Sequence, residues 1–281
     1  MICDYQTNKV YLALGLSHYT QLFKNLLYAL IAEGIPISFP AGTKSAKHVW
    51  VRDYMPIQLN RKSFLRYVYS PDYLKGYEDY IPDYNAIDKD LNLNCIGSDI
   101  VLDGGNVIKC GDKVIMTDKV LLENNTRYKK NELLAKLEQL FEAEVVLIPW
   151  DRYDEYGHAD GMVRYIEADR VLLNNYVDFD TDLRKRLLSA LTPHFEVEEL
   201  HYGQRPHSIY SWAYLNFLQT EKCIFVPGLH LNEDQLAMEQ IQKFYPHHKV
   251  IMIDECRNLV KDGGALNCVS WNIKTHVEPK L

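Results

Sequence analysis

The sequence predicts an α/β fold made of about five similar supersecondary units. Three observations lead to this prediction: amphipathic helices alternate with short apolar strands, the strand ends recur at a nearly constant interval, and polar motifs recur on a similar interval. A period of this size is typical of repeat architectures. The alternative interpretation is an ordinary α/β sheet whose helix–strand units happen to be evenly sized.

Four helix–strand units can be identified, and the interval between them leaves room for a fifth. The predicted strands end near residues 39, 149, 201 and 253, so the last three ends lie 52 residues apart. The gap of 110 residues between the first two ends accommodates one more unit between residues 67 and 100, where Tyr, Asp and Pro obscure the pattern. The predicted helix–strand pairs are 18–33 with 35–39, 129–142 with 145–149, 180–191 with 195–201, and 232–244 with 250–254.

The composition is that of a globular protein, and it limits the classes of partner. The chain has 281 residues, 47% of them hydrophobic and 25% charged, and no Pro-, Gly- or Ser-rich linker divides it, so we expect a single domain over residues 1–281. No stretch approaches the roughly 18 apolar residues that span a membrane, and the N-terminus lacks signal-peptide features. The net charge of −7 argues against nucleic acid and anionic membranes as partners. We therefore expect a cytoplasmic protein.

Six cysteines are scattered along the chain without a CxxC pair. In a reducing cytoplasm they are expected to be free thiols, most of them buried as small apolar side chains. His158 and Asp160 could belong to a metal site, but no third ligand at a zinc-like spacing accompanies them. The sequence therefore favours a protein without a metal, in which one cysteine is left as a candidate for chemistry.

Five polar motifs follow one another at intervals of 50 to 58 residues. Taken singly, each is more typical of a turn, a surface ion pair or a buried core residue. If each unit contributes one loop to a common centre, three aspartates, a histidine and a cysteine converge there, and the glycine pairs allow close backbone approach to a ligand. The motifs are Trp50-Val51-Arg52-Asp53, Asp103-Gly104-Gly105, Gly157-His158-Ala159-Asp160, Ser211-Trp212-Ala213-Tyr214-Leu215-Asn216-Phe217 and Asp262-Gly263-Gly264-Ala265-Leu266-Asn267-Cys268.

Chemistry gives a reason for this combination of residue types. A guanidinium group is planar and permanently charged, so a site that buries it needs fixed carboxylates. Attack on its central carbon suits a thiolate, and the neighbouring cation favours the thiolate over the thiol. A histidine oriented by a carboxylate can then protonate departing ammonia and later deprotonate water. The three aspartates, the histidine and the cysteine satisfy these requirements, and each of the five has a role.

At these residues the sequence resembles the guanidine-modifying (pentein) superfamily, and within it the agmatine deiminase and bacterial peptidylarginine deiminase family. The matching motifs run in family order from about residue 48 to residue 273, which is some four-fifths of the chain. The resemblance implies a five-bladed α/β propeller of pseudo-repeated ββαβ units, with neither a metal nor an organic cofactor. The motifs are Trp50-Val51-Arg52-Asp53 with Pro56, Asp103-Gly104-Gly105, Asp154-Glu155 before Gly157-His158-Ala159-Asp160, Tyr214-Leu215-Asn216-Phe217, and Gly263-Gly264 ahead of Cys268.

The resemblance also implies a role for each matching residue and a reaction. The substrate would be a small cationic guanidino compound, agmatine first, hydrolysed through a covalent amidino-thioether to a ureido product and ammonia, which would serve putrescine biosynthesis. A homodimer would be ordinary for this group. The implied roles are nucleophile for Cys268, acid and base for His158, orientation of His158 for Asp103, guanidinium clamps for Asp53 and Asp160, and substrate binding for Trp50 and Asn216.

Four departures from the family pattern concern the substrate more than the chemistry. Asp103 stands where Glu is usual, Met55 where the agmatine branch has Gly, and Asn267 where His is common. Only 49 residues precede Trp50, whereas the agmatine branch usually has a longer segment with a Trp-Pro element that frames the pocket. Peptidyl-arginine or another arginine derivative, transfer of the amidino group to an amine, and a non-catalytic binding module remain the alternatives.

Overall fold

Five three-stranded sheets follow one another along the chain in a computed structural model, which describes residues 1–203 and 210–275. In every sheet the first strand runs antiparallel to the second, and the third runs parallel to the second after a helical crossover. Each sheet with its helix is therefore a ββαβ blade. This arrangement confirms the predicted five-bladed α/β propeller and excludes one continuous sheet.

The strands are grouped by blade in chain order. They are β3 (Ile57–Gln58), β4 (Phe64–Val68) and β5 (Cys95–Val101) in blade 1, β6 (Ile108–Cys110), β7 (Lys113–Thr117) and β8 (Glu144–Ile148) in blade 2, β9 (Val163–Tyr165), β10 (Arg170–Leu173) and β11 (Glu196–Glu199) in blade 3, β12 (Leu218–Gln219), β13 (Cys223–Pro227) and β14 (Lys249–Ile253) in blade 4, and β15 (Ser270–Ile273), β1 (Lys9–Leu12) and β2 (Ile37–Ser38) in blade 5.

The α-helices of the described residues cross between the second and third strands or precede a first strand. They are α1 (Thr20–Ala32), α2 (Val51–Tyr54), α3 (Tyr84–Asp90), α4 (Lys119–Glu123), α5 (Lys130–Phe141), α6 (Tyr176–Phe179), α7 (Thr181–Leu191), α8 (Asp234–Phe244) and α9 (Arg257–Lys261). Short 3₁₀ helices span Asp4–Gln6, Leu14–His18, Ala46–His48, Asp72–Leu74, Glu78–Tyr80, Gly104–Asn106, Ala159–Gly161 and Ser211–Tyr214. No helix of the described residues combines the length and the apolar character needed to cross a membrane.

Helix α7 illustrates why the sequence forms a crossover helix of this length. Asp180 caps its N-terminus by accepting a hydrogen bond from the Leu183 backbone N–H at 2.9 Å. Leu183, Leu187 and Leu191 recur every four residues and are all buried. The helix therefore packs one apolar stripe on its blade and presents its polar face to solvent.

Blade 5 is assembled from both ends of the described chain. Its first strand, β15, pairs antiparallel with β1, with Lys9 opposite Ile273 and Leu12 opposite Ser270. The Trp271 ring lies 4.8 Å from the Tyr11 ring and 5.8 Å from the Phe64 ring, measured between centroids. The pairing closes the circle of blades, and the aromatic cluster joins blade 5 to blade 1.

The predicted elements are present with bounds that are shorter or shifted by one or two residues, and the obscured fifth unit is found in blade 1. Helix α3 and strand β5 fill the interval between residues 67 and 100. Only Ile87 of α3 is buried, so the helix has no long apolar stripe for a periodicity search to detect. The strand predicted at 35–39 reduces to Ile37–Ser38, because only two residues pair with β1.

Candidate active site

The candidate site is built from the segments that immediately precede the first strand of each blade. Because the first strands occupy equivalent places in the five blades, these segments meet at one end of the propeller. Six of the predicted site residues come together there, and each is at most 7% exposed. They are Asp53 before β3, Asp103 before β6, His158 and Asp160 before β9, Asn216 before β12, and Cys268 before β15.

His158 lies between two carboxylates. Its Nε2 is 2.8 Å from Oδ2 of Asp103, and its Nδ1 is 3.7 Å from Oδ1 of Asp53. Burial alone would lower the pKa of His158, but the charge of Asp53 and the hydrogen bond and charge of Asp103 outweigh it and raise the pKa to about 10. His158 is therefore an imidazolium at neutral pH and can donate a proton to a departing group.

Asp53 is held close to the imidazole by a glycine. The Gly105 backbone N–H donates to Oδ1 of Asp53 at 3.1 Å. A Cβ at Gly105 would lie 2.6 Å from Nδ1 of His158 and 2.7 Å from Oδ1 of Asp53, so only glycine fits there. Burial, with the charges of Asp103 and Asp160, raises the pKa of Asp53 to about 7 against the opposing effect of His158.

Cys268 faces an amide and a carboxylate. Its Sγ is 3.3 Å from Oδ1 of Asn216 and 3.7 Å from Oδ2 of Asp160, and the same Asp160 oxygen accepts a hydrogen bond from Nδ2 of Asn267 at 2.7 Å. Burial raises the pKa of the Cys268 thiol well above its usual value, and the charges of Asp160 and Asp53 add to the effect. A cation seated among these carboxylates would lower that pKa and favour the thiolate.

His158, Asp160, Asn216 and Cys268 line a cavity of 650 Å³, whereas Asp53 and Asp103 contact His158 and are not among its lining residues. His158, Asp160 and Cys268 are exposed to it, and three further carboxylates and several aromatic rings form its walls. Among the described lining residues Lys261 is the one lysine or arginine. The carboxylates of the wall are Asp151, Asp154 and Glu155, and its aromatic residues are Tyr153, Tyr156, Tyr176, Phe179, Tyr210 and Trp212. The cavity suits an extended cation with an apolar stem.

Trp50 is not among the described residues that line the cavity, and its role in substrate binding stays a prediction. The Trp50 ring lies against Gly264, where an added Cβ would collide with it. The Trp50 carbonyl accepts a hydrogen bond from the Asp53 backbone N–H at 3.1 Å at the start of α2. Its side chain fixes the segment that carries Asp53 against the segment that carries Cys268.

Three residues that the sequence reasoning did not assign complete the site. Tyr73 donates a hydrogen bond from its hydroxyl to Oδ2 of Asp103 at 3.0 Å, and Asn267 holds Asp160. Asp154, quoted only as part of a motif, accepts a hydrogen bond from the His158 backbone N–H at 3.1 Å. The position of Asn267 next to Cys268 was a usable signal, whereas Tyr73 lies in the segment where Tyr, Asp and Pro obscured the pattern.

Several polar atoms around the site are buried with no hydrogen-bond partner among the described residues. They are Oδ1 of Asp103, Nδ2 of Asn216 and Oδ1 of Asn267. Of these three residues Asn216 lines the cavity, so its Nδ2 is a donor that faces the candidate site without an acceptor among the described residues. Among the described residues no group of three or more His, Cys, Asp and Glu side chains has an arrangement that could hold a metal ion.

The model of the Porphyromonas-type peptidyl-arginine deiminase family matches residues 7–273. Curated relatives include agmatine deiminases of Medicago truncatula, 26% identical over 211 residues, and of Pseudomonas syringae pv. syringae, 26% identical over 209 residues. These alignments cover 61% and 60% of this chain, and 56% of each relative, so the chain spans little more than half the length of the curated relatives that it matches.

Solved structures of similar fold cover nearly the whole chain. An agmatine deiminase of Enterococcus faecalis superposes with a TM-score of 0.76 at 18% identity and covers 99% of this chain and 96% of its own. An agmatine deiminase of C. jejuni gives a TM-score of 0.75 at 17% identity with the same coverage. At these identities the likeness establishes the fold, which is the five-bladed arrangement described above.

Proposed function

We propose, from the premise that this chain belongs to the Porphyromonas-type peptidyl-arginine deiminase family, that it hydrolyses a C–N bond of a guanidino compound to give a ureido product and ammonia. The observation that carries the proposal is the convergence of five residues, of which three line one cavity and the two others contact His158. Cys268 lies beside Asp160, and His158 lies between Asp53 and Asp103. This combination supplies a nucleophile, an acid and base, and three fixed carboxylates.

Agmatine is the substrate that we propose first. Its guanidinium would lie between Asp53 and Asp160, and its amino end would extend towards the acidic wall of Asp151 and Glu155. Two features support this assignment: the curated relatives are named agmatine deiminases, and carboxylates outnumber the single lysine among the described lining residues. The α-carboxylate of free arginine would meet like charge at this wall.

In the first half of the reaction, the bound guanidinium lowers the pKa of the Cys268 thiol, which releases its proton through the cavity. The thiolate attacks the guanidinium carbon and gives a neutral tetrahedral adduct. The His158 imidazolium donates a proton to one amino group, the C–N bond breaks, and ammonia leaves. A cationic amidino-thioether on Cys268 and a neutral imidazole remain.

In the second half, water takes the place of ammonia. The neutral His158 accepts a proton from the water as its oxygen attacks the amidino carbon, which restores the imidazolium. The C–S bond then breaks, the hydroxyl proton passes to the sulfur, and the ureido product leaves. The ammonia carries away the proton that the thiol first released, so the charge of the protein is unchanged over one cycle.

The test is turnover of agmatine, free arginine and an arginyl peptide, with ammonia and ureido product measured together. We expect agmatine to be the best substrate and Cys268→Ala to abolish turnover while thermal unfolding stays cooperative. Cys95→Ala is the matched control, because this thiol is half-buried in strand β5 away from the cavity and its loss should leave turnover unchanged. Absence of turnover with every guanidine, or full turnover by Cys268→Ala, would refute the proposal.

We also propose that residues 1–281 act as one domain and that the protein works in the cytoplasm. Pairing of β15 with β1 supports the first statement, since blade 5 draws its strands from both ends of the described chain. Six free thiols support the second, because a reducing compartment keeps them free. A single cooperative unfolding transition and recovery of the protein in the cytosolic fraction are the expected results.

A further inference from the structure

Arg52 lies directly beneath the segment that carries the nucleophile. It is 7% exposed and does not line the cavity. Its backbone N–H donates to the carbonyl of Cys268 at 3.1 Å, and its side-chain Nε donates to the carbonyl of Asn267 at 3.3 Å. One residue of α2 therefore holds two consecutive carbonyls of residues 265–270, which we call the nucleophile segment.

The same contacts also affect Asp160, one of the two carboxylates proposed to bind the substrate guanidinium. The backbone carbonyl of Asn267 accepts a hydrogen bond from Arg52, and the side-chain Nδ2 of Asn267 donates a hydrogen bond to Asp160 at 2.7 Å. The Asp160 oxygen that accepts this bond is the one 3.7 Å from Sγ of Cys268. Arg52 therefore acts on the position of both Sγ of Cys268 and the carboxylate of Asp160. The guanidinium carbon of the substrate must fit between these two groups.

The far side of the Arg52 guanidinium is held by Asn272 in strand β15. Nη2 of Arg52 donates to Oδ1 of Asn272 at 2.5 Å. The Asn272 amide is fixed in turn, because its Nδ2 donates to Oγ1 of Thr7 at 2.7 Å and to the carbonyl of Gln219 at 2.8 Å. Arginine suits this place because its planar fork can bond in two directions at once, whereas a lysine ammonium is a single point.

The charge of Arg52 is part of a buried ionic cluster centred on Asp4. The Asp4 carboxylate is 2.7 Å from Nζ of Lys109, 3.1 Å from Nη2 of Arg164 and 4.0 Å from Nη1 of Arg52. These cations hold the pKa of Asp4 below its usual value against the effect of burial. The N-terminal segment therefore contributes a permanent anion next to the guanidinium.

We propose that Arg52 is a positioning residue that sets the spacing between Cys268 and Asp160 by holding the Asn267–Cys268 backbone from below. The proposal rests on the proposed function for its kinetic readout. It also makes a prediction that needs no turnover. Loss of the guanidinium contacts should loosen residues 265–270 locally, while the five blades remain folded.

The test compares Arg52→Lys and Arg52→Met with the matched control Arg66→Lys. Arg66 is equally buried, bonds the Tyr54 carbonyl of the same helix and pairs with Asp88, but no described contact joins it to the nucleophile segment. For Arg52→Lys we expect kcat to fall about 10- to 100-fold with KM changed less than about threefold, since the misplacement is of the order of 1 Å or less. Arg66→Lys should keep kcat within about threefold of the unmodified chain.

Hydrogen exchange in residues 265–270 separates this proposal from the proposed function. We expect exchange there to be at least about tenfold faster in Arg52→Lys and unchanged in Arg66→Lys, whether or not any guanidine is turned over. Equal exchange in the two variants, or a loss of kcat that only follows the unfolded fraction, would overturn the positioning role. If Arg52→Met fails to fold, the lysine variant still decides.

A double variant tests the route through Asn267. Asn267→Ala removes the bond to Asp160 but leaves the backbone carbonyl that Arg52 holds. Because the two residues act on one path, Arg52→Lys combined with Asn267→Ala should lose less kcat than the product of the single losses. Fully multiplicative losses would show that Arg52 does not act through this segment, and would overturn the proposal.

Discussion

Replacing Gly105 with alanine tests whether the close approach of His158 and Asp53 matters for the reaction. The added Cβ would lie 2.6 Å from Nδ1 of His158 and 2.7 Å from Oδ1 of Asp53. An ordinary van der Waals contact begins near 3.4 Å, so each group must retreat by about 0.7 to 0.8 Å. A retreat of either group disturbs a hydrogen bond, because His158 is bonded to Asp103 at 2.8 Å and Asp53 accepts from the Gly105 N–H.

A displacement of this size should cost kcat about 10- to 100-fold. The extra methyl group in a filled site should also lower the free energy of unfolding by about 1 to 3 kcal/mol. Ammonia release at saturating substrate gives kcat, and thermal unfolding gives the stability. Gly97→Ala is the matched control, since no atom lies within 4 Å of its added Cβ, and it should change neither quantity by more than a small amount.

The result that would refute this reasoning is a Gly105→Ala protein with kcat within about twofold of the unmodified chain. Such a protein would show that the imidazole does not need its present position between the two carboxylates. A loss of activity matched by Gly97→Ala would be equally damaging, because a methyl group in open space would then have the same effect as one against His158.

Three further predictions concern titration of the site. Alkylation of Cys268 by neutral iodoacetamide should accelerate about tenfold per pH unit from pH 7 to 9 without a plateau, because burial and the charges of Asp160 and Asp53 raise the thiol pKa; a plateau below pH 9 would contradict this. His158 has a pKa of about 10 in the folded protein against 6.5 in the unfolded chain, so its stabilising effect is complete below pH 6.5 and is lost as the pH rises to 10. The difference in thermal midpoint between the unmodified chain and His158→Asn should therefore shrink across that range, and a constant difference would count against the assignment. Asp103→Asn removes one charge that raises the pKa of His158, so the alkaline limb of the kcat/KM profile should move to lower pH, and an unmoved limb would be inconsistent with it.

The repeat could be predicted from the sequence because each blade places a chemically distinctive motif before its first strand. The spacing of Asp53, Asp103, His158 and Cys268 follows the blade period, so the motifs marked the blades better than the helices did. Blade 1 was obscured because α3 is short and buries a single residue. Strand ends were overextended because apolar residues continue beyond the residues that pair.

Contacts between distant parts of the chain set the limit of prediction at the site. Arg52 and Asn267 are 215 residues apart, and neither residue type indicates that a guanidinium will bond a backbone carbonyl. The Trp50 ring lies against Gly264, a contact that local sequence does not predict, because it does not say which side of a segment faces a cavity. Asp103 is one methylene shorter than the Glu usual at this place, yet its Oδ2 lies 2.8 Å from Nε2 of His158, and the adjoining backbone approaches the imidazole closely at Gly105.

The closure of the circle by β1 and β15 has a consequence for how the protein acquires activity. Lys9 and Ile273 pair across 264 residues of chain, and the segment before the first strand of each blade supplies one or more of the six converging site residues. Pairing between such distant residues forms late, because the entropic cost of closing the loop between them must be overcome before the pairing stabilises the chain. A refolding intermediate that lacks this last pairing would have its other four sheets and α7 formed while Cys268 is still away from Asp160. The helical circular-dichroism signal should therefore return before turnover does. The delay between the two would measure how long β1 and β15 take to pair.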